Sequence, residues 1–333
     1  RVGMVVPAWF SPSLPAADAE SLLYTTLAGL SGCVEARDVV IVSDGSPVAS
    51  AAANAVRGRL QDRDAGFLLL ELEGNAGKGA ALLAGIEELC QRPDRPLEWI
   101  ATRDADGDHF LDDLPHLYRI GVQVAAEQPD RPVCVIGSRA SVHAPLGWLR
   151  GEFELLLNEV LVEGLAFALA REGRVWDTRY LIRRAPDLQS GYKLYSRAAA
   201  GLAARALEDE AATYPDLRLL RTGMEIVPFV SLALEGGIVA EVERKTFFDQ
   251  PVTSYGSVDL AEFYGAKLAW ALQRSGVPPK EALVLIDGAL ARRPLLTDPT
   301  GREPALRMRR LVLEKLEGAG REALPPPMLR RYL

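Results

Sequence analysis

Residues Leu97–Phe110 read LEWIATRDADGDHF, and the folding of this stretch decides the architecture of the chain. Trp99, Ile100, Ala101 and Thr102 form a short apolar run with β character, which ends abruptly in three alternate carboxylates, Asp104, Asp106 and Asp108. Residues two apart on an extended backbone point the same way, so at least two of the carboxylates converge where the strand ends. Clustered carboxylates repel unless a positive group neutralises them, and a hard divalent cation with oxygen ligands is the usual solution. The carboxyl ends of strands in an α/β sheet are also where such folds bind ligands. A solvated acidic turn is the simpler alternative. An EF-hand calcium loop does not fit, because His109 and Pro115 stand where it needs its sixth-position Gly and its bidentate Glu. A phosphate loop does not fit either: Gly74-Asn75-Ala76-Gly77-Lys78-Gly79 lacks its spacing and its hydroxyl.

Outward from this stretch, short apolar runs alternate with helical patterns. Strands are expected over Val2–Val6, Asp38–Ser43, Phe67–Leu72, Leu97–Arg103 and Val133–Ile136, with a late one over Gly237–Val242. Helical spacing marks Ala16–Leu30, Ala49–Leu60, Ala80–Cys90, a segment from Asp112, Leu146–Arg171, Ala198–Glu210 and Gly223–Leu234. Such alternation implies right-handed crossovers and a mostly parallel, Rossmann-like sheet flanked by helices. Asp44-Gly45-Ser46-Pro47, the turn at 74–79, the acidic triplet and Gly137-Ser138-Arg139 each follow a strand, on one edge of that sheet. From Val258 the pattern is mostly helical, with prolines at 325, 326 and 327. The expected division is an α/β domain over residues 1–255 and a helical C-terminal extension over 256–333.

The composition is that of a globular protein: 333 residues, 48% hydrophobic and 25% charged. A net charge of −7 argues against nucleic acid as a main partner. Cys33, Cys90 and Cys134 are too widely spaced for a metal pattern and read as reduced thiols. With no signal-peptide pattern and no transmembrane run, the expected location is the cytoplasm, with the inner face of the membrane left open.

Taken in order, the segments VVPAWF, VSDGSP, GNAGKGAAL, DADGDHF, GSR and DLQSGYKLYSR resemble the catalytic domain of glycosyltransferase family 2, with its GT-A fold. The likeness is to the polyprenyl- and dolichyl-phosphate sugar transferase branch and covers roughly residues 2 to 255. It implies a metal-dependent, inverting glycosyltransferase that takes a nucleotide-diphosphate sugar as donor and needs Mg²⁺ or Mn²⁺. On this resemblance Pro7, Ala8 and Asp44 hold the nucleotide base and ribose, and Lys78 lies by the anionic donor. Asp104 and Asp106 match the Asp-Ala-Asp metal motif, with Asp108 as a third ligand, and Asp104 also counts among the donor-site residues. Arg139 matches the Gly-Ser-Arg motif. Arg150 with Asn158 resembles the helix that touches an acceptor phosphate. Asp187 and Lys193 belong to a D-x-x-S-G-aromatic-K motif, which makes Asp187 the catalytic carboxylate and Lys193 an edge cation; Glu225 is a second candidate base. The acceptor stays open between a phosphate, a lipid phosphate and a small hydroxyl compound, as do peripheral membrane contact and a homodimer. Two departures bear on substrate. Phe10-Ser11 replaces the usual Asn-Glu, and Glu154 stands where a small hydroxyl residue is usual. His109, His116 and His143 read as ordinary polar residues. Two other readings remain, a sugar-phosphate nucleotidyltransferase and a non-catalytic nucleotide-sugar-binding protein.

Overall fold

The computed structural model describes residues 1–245 and 258–317. The apolar runs form strands: β1 (Val2–Ala8), β2 (Val39–Ser43), β3 (Leu68–Glu71), β4 (Trp99–Thr102), β5 (Val133–Arg139), β6 (Lys193–Ser196) and β7 (Ile238–Arg244). They make one sheet in the order β3-β2-β1-β4-β6-β5-β7. The protein is therefore α/β with a mostly parallel sheet. β1, β2, β3 and β4 pair in parallel, as do β5 and β7, and among the described strands only β6 runs antiparallel to its neighbours β4 and β5. β2 and β5 are buried along their whole length, which explains why they read as unbroken apolar runs rather than alternating ones.

The longer helices are α1 (Ala16–Leu27), α2 (Pro47–Arg59), α3 (Lys78–Cys90), α4 (Leu114–Glu127), α5 (Trp148–Arg171), α6 (Arg197–Thr213), α7 (Val227–Leu234), α8 (Leu260–Arg274), α9 (Pro279–Ala291) and α10 (Pro299–Glu317). Local chemistry starts several of them. Ser46 caps α2, its Oγ accepting from the Ala49 N–H at 3.2 Å, with Pro47 at the first helical position. Ser196 does the same for α6 through the Ala199 N–H at 3.3 Å. α3 lies so close to the sheet that a Cβ on Gly85 would sit 2.3 Å from a Val5 methyl.

Two compact units divide the chain. The first comprises Arg1–Ala140, Thr178–Ile182 and Leu188–Ser254, and holds the whole sheet. In its core, Met4, Val6 and Ile41 meet Leu23 and Leu27 of α1 and Ala53 and Val56 of α2. The second comprises Ser141–Asp177, Arg183–Asp187 and Tyr255–Leu333. Helix α5 thus belongs with the C-terminal helices, and α8 and α9 pack against it. The expected boundary at 255/256 and the proline run at 325–327 lie outside the described residues.

Three elements differ from the sequence reading. β5 runs on through Gly137-Ser138-Arg139 instead of ending at Ile136, so that motif is strand and not the turn after it. β6 was not foreseen, because four residues beginning with a lysine carry no strand signal. Helix α7 begins at Val227, so Glu225 precedes it rather than lying within a helix from Gly223. Among the described residues, no helix is long and apolar enough to cross a membrane.

Charge pairs hold the second unit together. Arg292 meets Glu159 and Glu163, Arg293 meets Glu152 and Glu159, and buried Arg309 grips buried Asp287 with two hydrogen bonds of 2.6 and 3.1 Å. Removing one member of such a buried pair leaves a desolvated charge behind. Asp287→Ala is expected to cost about 3–5 kcal/mol of stability, read by urea unfolding. A loss under about 1 kcal/mol would show that the pair does not brace the unit.

Candidate active site

The site of the first unit forms at the sheet edge where β1 to β4 end. Because β6 runs the other way, its start lies on this same edge, and Ser190-Gly191-Tyr192 meets the end of β4. Thr102 Oγ1 donates to the Gly191 carbonyl at 3.0 Å, and the Gly137 N–H donates to the Tyr192 carbonyl at 2.9 Å. Gly191 allows the closest approach: a Cβ there would fall 2.3 Å from a carboxylate oxygen of Asp104. The glycine thus makes room for Asp104.

β4 stops at Thr102, and the next residues fold back as a turn in which Gly107 takes φ +76°. The turn brings one potential ligand atom each of Asp104, Asp108 and His109 within 4.8 Å of one another. Asp106 is not in that group. Its carboxylate instead accepts from the Asp108 N–H at 3.4 Å, within the same turn. Burial, followed by the charges of Asp108 and Asp104, holds the Asp106 carboxyl well above the usual carboxylate range. Asp108 is also raised, by burial first and then by Asp104, while Arg244 pulls the other way.

His109 is buried and stacks on Tyr192 with ring centroids 5.0 Å apart. Its Nδ1 accepts from the Asp104 N–H at 3.2 Å, which leaves the proton of the neutral ring on Nε2. Burial first, and then Arg244, Arg103, Lys78 and Arg139, hold its pKa well below the ordinary histidine value, so it stays neutral. Nε2 lies 3.2 Å from Asp108 Oδ1 but off the line of a hydrogen bond, and that oxygen is buried with no hydrogen-bond partner. With its proton on Nε2, the neutral His109 ring lies beside the two carboxylates. The residues that could hold a cation are Asp104 and Asp108, with His109 next to them. An orphaned, buried carboxylate oxygen beside a second carboxylate fits a hard cation such as Mg²⁺ or Mn²⁺.

Cations surround the carboxylates. Lys78 Nζ lies 2.6 Å from Asp104 Oδ1 and 3.8 Å from Glu225 Oε1. Buried Arg244, at the end of β7, donates to the carbonyls of Gly137 and Asp108 at 3.2 and 3.3 Å, with its guanidinium 4.0 Å from the Asp108 carboxylate. Buried Arg103 donates to the carbonyls of Thr26 and His109.

The remaining sequence-derived residues take distinct places. Pro7 and Ala8 end β1. Asp44 is buried, and its two oxygens accept from the N–H groups of Ala76 and Gly77 at 2.7 and 2.8 Å, so it pins the glycine-rich turn. Arg139 is buried and pairs in register with Arg244 across β5 and β7. Lys193 is buried, and its ammonium donates to the carbonyls of Leu188 and Ser190, bracing that turn. Asp187 and Arg150 belong to the second unit. There Asp187 is buried, and Arg150 Nε lies 3.4 Å from the buried carboxylate of Glu154, which also accepts from the Tyr264 hydroxyl at 3.2 Å.

Sequence reading missed His109, Arg103, Arg244 and the steric role of Gly191. His109 directly follows the acidic triplet, which was the available signal. Arg244 lies far along the chain, in a segment whose strand character gave no hint of a destination.

No model of a known protein family matches this chain, and no curated protein matches it either.

The raised carboxyls fix the sign of a pH dependence. Without metal, the folded chain binds protons at Asp106 and Asp108 more tightly than the unfolded chain does. Their contribution to stability is full below the ordinary carboxylate pKa and is lost as pH rises through the raised values. A cation at the cluster competes with those protons. The melting temperature is therefore expected to rise more on adding Mn²⁺ at about pH 8 than at about pH 5, since fewer protons need displacing. A larger shift at the lower pH would contradict the assignment.

Proposed function

We propose that this protein is a metal-dependent glycosyltransferase of the GT-A kind that takes its sugar from a nucleotide-diphosphate donor. The observation that supports this most is the Asp104–Asp108 carboxylate pair at the sheet edge, with an orphaned buried oxygen and Lys78 beside it. Asp104 and Asp108 would hold Mg²⁺ or Mn²⁺, and the ion would supply positive charge to the leaving diphosphate. Asp44 fixes the glycine-rich turn by its N–H groups and so sets where Lys78 emerges at the start of α3. Lys78 presents its ammonium to the donor phosphates.

Transfer with inversion is a single displacement in which the acceptor oxygen attacks the anomeric carbon from the face opposite the diphosphate. A phosphate acceptor is already ionised. A hydroxyl acceptor needs a base, and Glu225 is the buried carboxylate that the first unit sets beside Lys78. Asp187 is the candidate from the motif reading. The free cysteines agree with a reducing compartment, and we place the protein in the cytoplasm.

The test is turnover of UDP-, GDP- and dTDP-sugars with Mn²⁺, against acceptors that include a polyprenyl phosphate and small hydroxyl compounds. One donor is expected to release nucleoside diphosphate, and Asp108→Asn to lower that rate by about 10²–10³-fold, the scale for losing one electrostatic stabiliser. Exchange of pyrophosphate into a nucleoside triphosphate would instead identify a nucleotidyltransferase. Donor binding without turnover would identify a binding protein.

A further inference from the structure

We infer that Lys78 competes with a cation for the Asp104 carboxylate until a nucleoside diphosphate draws it away, so that metal and nucleotide bind cooperatively. The inference rests on the metal-dependent donor site proposed above.

The Lys78 ammonium lies 2.6 Å from Asp104 Oδ1 and so already neutralises the carboxylate that a metal ion would share, whose other oxygen, Oδ2, faces His109 at 4.0 Å. Two cations held on the two oxygens of one carboxylate repel each other and divide its charge. An ion arriving alone therefore competes with the ammonium. Glu225 is a further acidic group close to the ammonium, at 3.8 Å. A diphosphate changes the balance, because its oxygens accept the ammonium and also ligate the metal, replacing the hydrogen bond that Asp104 gives up.

The backbone around Lys78 confines the change to its side chain. A Cβ on Gly77 would meet the Leu220 carbonyl at 2.7 Å, and one on Gly79 would meet it at 2.6 Å. Asp44 holds the N–H groups of Ala76 and Gly77 from the other side, and Arg221 donates to Asn75. Lys78 thus swings from a fixed pivot between carboxylates and phosphate. Both it and Asp104 are about a quarter exposed, at 27% and 24%, so an incoming ligand reaches them without opening the fold.

The test measures Mn²⁺ binding by electron paramagnetic resonance in wild type, Lys78→Met and Lys78→Arg, with Mn²⁺ alone and with UDP or GDP present. Wild type is expected to bind Mn²⁺ weakly alone and much more tightly with one of the nucleotides. Lys78→Met is expected to bind Mn²⁺ alone about tenfold more tightly than wild type, because nothing competes for Asp104. The nucleotide's enhancement of Mn²⁺ affinity should shrink by a similar factor, and by linkage so should the metal's enhancement of nucleotide affinity. Lys78→Arg keeps the charge and should remain weak with Mn²⁺ alone. If Lys78→Met binds Mn²⁺ alone no more tightly than wild type, while both bind it with nucleotide, the partner exchange is wrong and the metal–donor reading stands. The inference also fails if Lys78→Arg binds Mn²⁺ alone as tightly as Lys78→Met. If no variant binds Mn²⁺ even with nucleotide, the donor reading and the inference fall together.

Discussion

Mutual repulsion among the carboxylates that follow β4 is the constraint on which the rest of the first unit depends. Asp104, Asp106 and Asp108 occupy one short turn, and burial raises the cost of charge on Asp106 and Asp108. The surrounding structure lowers that cost in three ways. Protons are favoured on Asp106 and Asp108. Lys78 covers Asp104. Arg244 and Arg103 hold the carbonyls of Asp108 and His109, so their charge stands close to the turn. What is left is a carboxylate oxygen with no hydrogen-bond partner. That oxygen is the opening a cation of the proposed kind would fill.

Sheet topology explains how such distant segments reach one edge. In a wholly parallel sheet the segment before a strand lies on the edge opposite the segments that follow strands. Reversing β6 puts Gly191 beside Asp104 and Tyr192 under His109. Lys193 makes this tolerable at the start of a buried strand, because its ammonium finds two backbone carbonyls instead of water. The second unit shows a different strategy, in which ion pairs link its helices, one of them, Arg309–Asp287, buried between α9 and α10.

The parallel strands were legible in the sequence because burial on both faces demands unbroken apolar runs, as Val39–Ser43 and Val133–Ile136 show. The acidic cluster was legible too, but not its membership. Alternation on a strand predicted that at least two of the three carboxylates would converge, without saying which. The strand ends at Thr102, however, and the left-handed Gly107 turns the chain, so Asp106 caps the turn while Asp108 faces Asp104. Asp44 and Lys193 were recognised as special by pattern alone. Their hydrogen bonds to backbone groups could not be, since those depend on which turns the fold brings near. Arg244 was invisible for the same reason, being a buried strand residue whose partners belong to other loops.

The central claim is that Asp104 and Asp108 together receive a divalent cation carrying a nucleoside diphosphate. The most direct measurement is an anomalous difference map from crystals grown with Mn²⁺ and UDP or GDP. A manganese peak bonded to oxygens of both carboxylates, with the Lys78 ammonium moved onto a phosphate, is the predicted result. A nucleotide bound without manganese at this cluster, or manganese held elsewhere while Lys78 still covers Asp104, would contradict it.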